Sequence, residues 1–364
     1  MNGFVRKISA LFLMAFITNV FAQNSADSTS RGKMNVFGYP YLFYTPETEL
    51  AFGVGGIATF YLGKDVFLRP SKIVVAGYYT TNKQYSFSVD PQFYFLGNKY
   101  FFSMSIEYEY TIDKYYGIGG DTPEIVNPDY EANIFLVSLE FQLPSFFGLA
   151  YKSGFILDYK DFEIVDRKTN PYLTNVSLIA NGGKTFGLGA LAVWDSRNSI
   201  FFPTVGNYTK LKAEFFMDAL GSDYDFNIYE IDLRQYYPVF ERNTFGFQFF
   251  GKFTGGSPPF YELAALGGQY LMRGYYEGRF RDKNYLAAQI EYRRYVWRRI
   301  GIVIFGGAGN VVSLLSDFRF RNLKYSYGFG LRYQFNIKEK VNLRADFGFG
   351  KETSGVYFGI EEVF

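Results

Sequence analysis

Glu107 and Glu109 are the closest the sequence comes to an acid–base pair. Two carboxylates on one face can serve as the acid and base of a glycosidase. Here their spacing is only the strand period, and the plainer reading is a polar wall facing water. The 364 residues include no Cys and no His. That removes disulfide frameworks, thiolate nucleophiles and CxxC sites. It also removes Ser-His-Asp triads, HExxH metal sites and imidazole acid–base chemistry. The expectation is a protein that is not an enzyme and carries no cofactor and no metal. Gly53-Val54-Gly55-Gly56 and Gly328-Phe329-Gly330 resemble phosphate loops only superficially, because neither opens a helix. Strand bends or small lumen positions account for them. Charge is nearly balanced, with Lys+Arg 37 against Asp+Glu 35. A nucleic-acid partner would need a strong basic excess.

Arg273, Gly274 and Glu291 offer a different kind of chemistry. Arg273 carries a permanent charge with several donors in a fork. Gly274 permits a tight turn at positive φ. Glu291 shares a strand face with Gln289 and Arg293, opposite Leu286, Ala288, Ile290 and Tyr292. A loop folded over that face would set Arg273 against Glu291 as a bidentate latch. Spacing alone favours a solvated loop arginine and a solvated wall carboxylate.

The elements that must position these residues are strands. Tyr325, Tyr327, Phe329, Leu331, Tyr333 and Phe335 alternate with Ser326, Gly328, Gly330, Arg332 and Gln334. Leu343, Ala345, Phe347 and Phe349 alternate with Asn342, Arg344, Asp346 and Gly348. Such runs are about 10 residues long, where soluble strands average ~5–6 and tilted strands crossing a bilayer need ~9–11. About sixteen can be placed, at 34–45, 50–61, 72–80, 85–95, 100–110, 132–142, 149–159, 185–194, 208–217, 226–237, 244–253, 285–296, 301–309, 325–335, 341–350 and 355–364. Short turns on one side alternate with long loops on the other, at 112–130, 161–184, 255–284 and 310–324. The apolar face is heavy in Tyr and Phe within a chain that is 21% aromatic, more than one soluble interior could hold. Turned outward to lipid, that face makes sense, and closure satisfies every backbone group. The expected fold is an all-β, single-chain transmembrane barrel of about sixteen antiparallel strands. The long loop between its eleventh and twelfth strands is expected to fold into the lumen on the strength of a resemblance that its Met272-Arg273-Gly274-Tyr275 motif carries.

The N-terminus fits export. Arg6 and Lys7 precede an apolar stretch, 8–17, broken only by Ser9, and small residues end at Ala22. This reads as a signal peptide over 1–22, too short for the ~20-residue helix that spans a bilayer. A short periplasmic segment, 23–33, then leads to a barrel domain over 34–364. The expected location is the outer membrane of a Gram-negative bacterium, with its lipid as one partner.

Several motifs then carry a resemblance. Leu266-Gly267-Gly268-Gln269-Tyr270-Leu271-Met272-Arg273-Gly274-Tyr275 resembles the sixth extracellular loop of the BamA/TamA superfamily, also called the bacterial surface antigen family. Its hallmark is a V/I-R-G-F/Y tetrad, matched by Met272, Arg273, Gly274 and Tyr275. Gln289-Ile290-Glu291-Tyr292-Arg293 is similar to the acidic motif of the next strand. Phe305, Gly307 and Gly309 resemble the strand-thirteen F-x-D/G-x-G. Trp194-Asp195-Ser196-Arg197-Asn198 with Phe202-Pro203 and Gly206 looks like a D-x-R-D/N…F-P-x-x-G turn. Tyr116-Gly117-Ile118-Gly119-Gly120-Asp121 is similar to Y-G-x-G-N-D, and Phe364 to the aromatic end of an assembly signal. The resemblance implies that Arg273 and Glu291 do form a loop latch. It also implies a departure: members often carry an acid where Gly307 stands, so the arginine is expected to lack a second partner.

The implied function is assistance with insertion or translocation of proteins or lipids at the outer membrane. The alternative is a passive pore or structural barrel. About ten residues separate Ala22 from the first strand, too few for a POTRA domain where a folded domain needs at least ~50. Expected partners are therefore client outer-membrane proteins and a separate periplasmic protein in place of POTRA. The seam between first and last strands separates the two functions. A poorly paired seam favours lateral opening; full pairing around a clear lumen favours a pore.

Overall fold

The computed structural model describes residues 34–45, 49–65, 67–145, 152–174, 182–337 and 340–364. The expected leader and the segment 23–33 lie outside them, as do residues 149–151 of the seventh expected strand. A 16-stranded antiparallel sheet runs in chain order. It begins with β1 (Asn35–Thr45), β2 (Glu49–Phe60), β3 (Ser71–Thr80), β4 (Tyr85–Phe95), β5 (Tyr100–Lys114) and β6 (Asp129–Pro144). It continues with β7 (Lys152–Asp166), β8 (Gly183–Asp195), β9 (Gly206–Phe216), β10 (Phe226–Pro238) and β11 (Asn243–Gly256). In the long connection that follows, β12 (Ala264–Leu266) and β13 (Phe280–Asp282) form a small ribbon of their own. The sheet resumes with β14 (Asn284–Trp297), β15 (Ile300–Val312), β16 (Lys324–Asn336), β17 (Val341–Gly350) and β18 (Thr353–Ile360).

The burial pattern is inside out relative to a soluble sheet. On β16, Tyr325, Tyr327, Phe329 and Leu331 are half exposed or more, whereas Arg332 is buried. On β17, Arg344 and Asp346 are buried between the more exposed Leu343, Ala345 and Phe347. Residues two apart share a face, so lipid selects the aromatic set and the enclosed lumen the charged one. The strands also run well past soluble lengths, up to 16 residues in β6. β5, β6 and β7 extend several residues beyond the alternating runs read from sequence, on the side of the long loops.

The two ends of the sheet meet. β1 approaches β18, and Phe37 on β1 packs edge-on against Phe335 on β16, with centroids 5.4 Å apart. Among the described residues, however, no backbone ladder joins β1 to β18; the hydrogen-bonded order ends at each of them.

The last strand corrects the sequence reading, which carried it to Phe364. β18 ends at Ile360, and Glu361 takes φ of 72°. Val356 and Phe358 share one face, so a continued strand would send Glu362 the same way, toward lipid, where a carboxylate is costly. The chain instead turns inward. Glu361 pairs with Lys72 on β3 at 2.5 Å, Glu362 pairs with Arg332 at 2.7 Å, and Val363 and Phe364 are buried.

Candidate functional site in the barrel lumen

The connection from β11 to β14 enters the lumen because it is apolar where it meets the wall. Phe260, Leu266, Met272 and Tyr275 are each 3% exposed or less. Phe260 and Tyr261 pack with Tyr115, Tyr130 and Phe162, and Tyr261 stacks on Phe162 at 4.2 Å between centroids. Leu266, Met272 and Tyr275 pack with Tyr285 and Val311 of the wall. Burying a large apolar side chain is worth roughly 1.5–3 kcal/mol, so these contacts dock the loop before any charge is counted. Lys160–Glu262 at 2.6 Å and Arg279–Glu124 at 2.9 Å tie its flanks.

The tetrad sits against β17. Gly274 has φ of 110°, and a Cβ there would lie 2.5 Å from the Phe349 backbone. Reciprocally, a Cβ on Gly348 would lie 2.6 Å from the carbonyl carbon of Arg273. Only two glycines allow this backbone-to-backbone approach. The Gly274 N–H donates to the Tyr357 hydroxyl at 2.9 Å, and the Lys351 N–H donates to the Tyr275 hydroxyl at 3.0 Å.

Arg273 is fully buried, with its guanidinium carbon 3.5 Å from the centroid of Phe305. One terminal nitrogen donates to Glu291, and the other donates to Asp346 at 2.8 Å. Glu291 also accepts from Arg293 at 2.8 Å. Asp346 accepts from Arg332 at 2.6 Å, and Arg332 reaches Glu362 at 2.7 Å. Glu362 lies 3.9 Å from Arg293. Arg273, Glu291, Arg293, Glu362, Arg332 and Asp346 thus alternate in sign around a closed ring, each side chain 1% exposed or less. Arg344 joins from outside, at 3.0 Å from Asp346. Buried charges persist when each is paired, and here each meets at least two of opposite sign.

The sequence-predicted residues are therefore partly gathered. Met272, Arg273, Gly274, Tyr275, Glu291 and Phe305 converge. Gly307 and Gly309 stand on the same wall of β15, opposite Gln289 and Ala287 of β14. Phe364 lies at the other end of the ring, where its carbonyl accepts from Arg293 at 2.7 Å and its ring stacks near Tyr236. The expected want of a second partner for Arg273 is corrected: Asp346 supplies from β17 the carboxylate that Gly307 lacks. Its lumen parity was legible in the sequence, but its proximity to a loop 73 residues away was not.

The other motifs fall on the barrel rims. Gly119 bridges to Arg281 in the loop, with a backbone bond of 2.7 Å. Asp195 at the end of β8 accepts from Arg69 at 2.5 Å and from Arg197 at 2.9 Å. Burial works against both guanidinium charges, but Asp195 outweighs it, so both are held protonated more firmly than a free arginine. Among the described residues no cluster of three potential metal ligands occurs.

A family model for the Omp85 superfamily domain matches residues 66–364. The structure is similar to BamA from Haemophilus ducreyi lacking POTRA domains 1-3, with a TM-score of 0.56 at 15% identity, covering 91% of this chain and 69% of that one. It is also similar to CdiB from Acinetobacter baumannii, with a TM-score of 0.58 at 13% identity, covering 90% of this chain and 59% of that one. No curated protein matches the sequence. These structural likenesses concern the fold, an outer-membrane β-barrel, and agree with the resemblance carried by the loop motifs. The chain belongs to the Omp85 superfamily.

Proposed function

We propose that this barrel assists insertion or translocation of proteins at the outer membrane, by parting β1 from β18. The observation that carries the reading is the seam: every other neighbouring pair in the sheet is laddered, and among the described residues this one is not. Unpaired strand edges are templates for another strand, so a client segment could add there. The lumen supports the same reading, since the loop and the inward-turned residues 361–364 occupy space that a passive pore would leave clear. The charge ring links the two parts. Glu362 follows the seam strand and Arg273 belongs to the loop, and both bond the Arg332–Asp346 pair. A shift of β18 would therefore be felt by the loop. No chemistry of its own is assigned to the protein. Client outer-membrane proteins are the proposed partners. Depletion in the native bacterium, followed by proteomics of the outer membrane, tests the proposal. Selective loss of other barrel proteins is expected; an unchanged outer-membrane proteome would sink it.

A further inference from the structure

At the end of the lumen opposite the long loops lies a cavity of about 550 Å³, floored by the turns before β3 and β9. Its charges do not balance. Lys210 pairs with Glu140, Lys72 with Glu361 and Arg234 with Asp232, one to one. Asp195, however, serves two guanidiniums, Arg69 and Arg197. The side chain of Lys152, the first residue of β7, has no ion pair or hydrogen bond among the described residues, although the residue is only 5% exposed. Its ammonium lies 5.5 Å from the ring of Tyr94 and 5.9 Å from that of Phe101. Ring faces offset only part of the cost of burying an ammonium. Glu362 on the rim is already held by Arg332 and Arg293. The cavity is thus left with a surplus of two positive charges, one on Lys152 and one on the Arg69–Asp195–Arg197 bridge.

We propose that this cavity binds a phosphate monoester group, with Lys152 as its principal contact and Arg69 and Arg197 beside it. A monoester carries about −1.5 to −2 at neutral pH, which matches the surplus; one carboxylate would leave a charge unmet. Guanidinium forks suit phosphate oxygens, and the aromatic wall of Tyr94, Phe101 and Tyr208 can pack against the remainder of the ligand. The group can arrive as a soluble ester from the periplasm or as the head of an anionic lipid.

The test is calorimetric titration of the full chain in detergent with glycerol 3-phosphate. In parallel, the protein is titrated with vesicles of phosphatidylcholine with and without phosphatidic acid. Saturable binding of the soluble ester, or binding confined to phosphatidic-acid vesicles, supports the site and assigns the source. Lys152→Met should weaken binding about ten-fold or more, Lys152→Arg should restore most of it, and Lys64→Met, at an exposed turn lysine, should change nothing. Absence of saturable binding by the parent protein to either probe overturns the proposal whatever the variants do. So does equal binding by a folded Lys152→Met.

Discussion

Replacing Arg273 by Ala removes the loop's only member of the charge ring. Its two charge-assisted hydrogen bonds, at roughly 1.5–3 kcal/mol each, set a ceiling of roughly 6 kcal/mol. The structure argues for less. Glu291 keeps Arg293 at 2.8 Å, and Asp346 keeps Arg332 at 2.6 Å and Arg344 at 3.0 Å, so neither carboxylate is stranded. The expected loss is therefore ~2–3 kcal/mol. Asp346→Ala should cost more, ~3–5 kcal/mol, because Arg344 loses its carboxylate while Arg273 and Arg332 each lose one of two. Two readouts apply: the temperature at which the folded barrel is lost on a gel, and chymotrypsin cleavage at Tyr270, Tyr275 and Tyr276. Arg273→Ala should lower the first and expose the second. The Arg273→Ala/Glu291→Ala double variant should fall short of the summed single effects, since the two act as one unit. A variant lacking Arg273 that melts and resists protease like the parent would refute the latch. So would strict additivity.

Gly274→Ala should release the loop as fully as Arg273→Ala, because a Cβ would meet the Phe349 backbone at 2.5 Å; unchanged chymotrypsin resistance would contradict the docking geometry. Phe364→Ala should destabilise the barrel by ~3 kcal/mol, toward the lower end for a buried Phe, and reduce its level in the membrane fraction. A normal melt would show that its contacts with Tyr236 and Arg293 carry little weight. Mass spectrometry of the protein from outer membranes should find Gln23 at the N-terminus, and a retained residue 1–22 segment would overturn the signal-peptide reading.

The wall was legible because lipid demands an apolar residue at every second position and the lumen tolerates charge at the others. The sequence alone thus assigns the face carrying Glu291, Arg293, Arg344 and Asp346. Glu291 was named as a partner of Arg273, but that Asp346 would close on it too could not be foreseen, because the height at which a loop docks on a wall is set by tertiary packing. Here Met272 and Tyr275 find their place against Tyr285 and Val311. The ribbon β12–β13 has three residues per strand, too few for a period to show. The early end of β18 did leave a trace: Glu361 and Glu362 break the alternation, and continued parity would have put Glu362 in lipid. Lys152 left no such trace. It reads as any lysine within a strand until Tyr94 and Phe101, far away in sequence, close over it.

The central claim is that β1 and β18 part during function. The chain has no native Cys, so one cysteine in β1 and one facing it in β18 can form only the intended crosslink. In cells depleted of the native protein, the crosslinked form should fail to support insertion of other barrel proteins, and reduction should restore it. Undiminished insertion with the seam held shut would contradict the account.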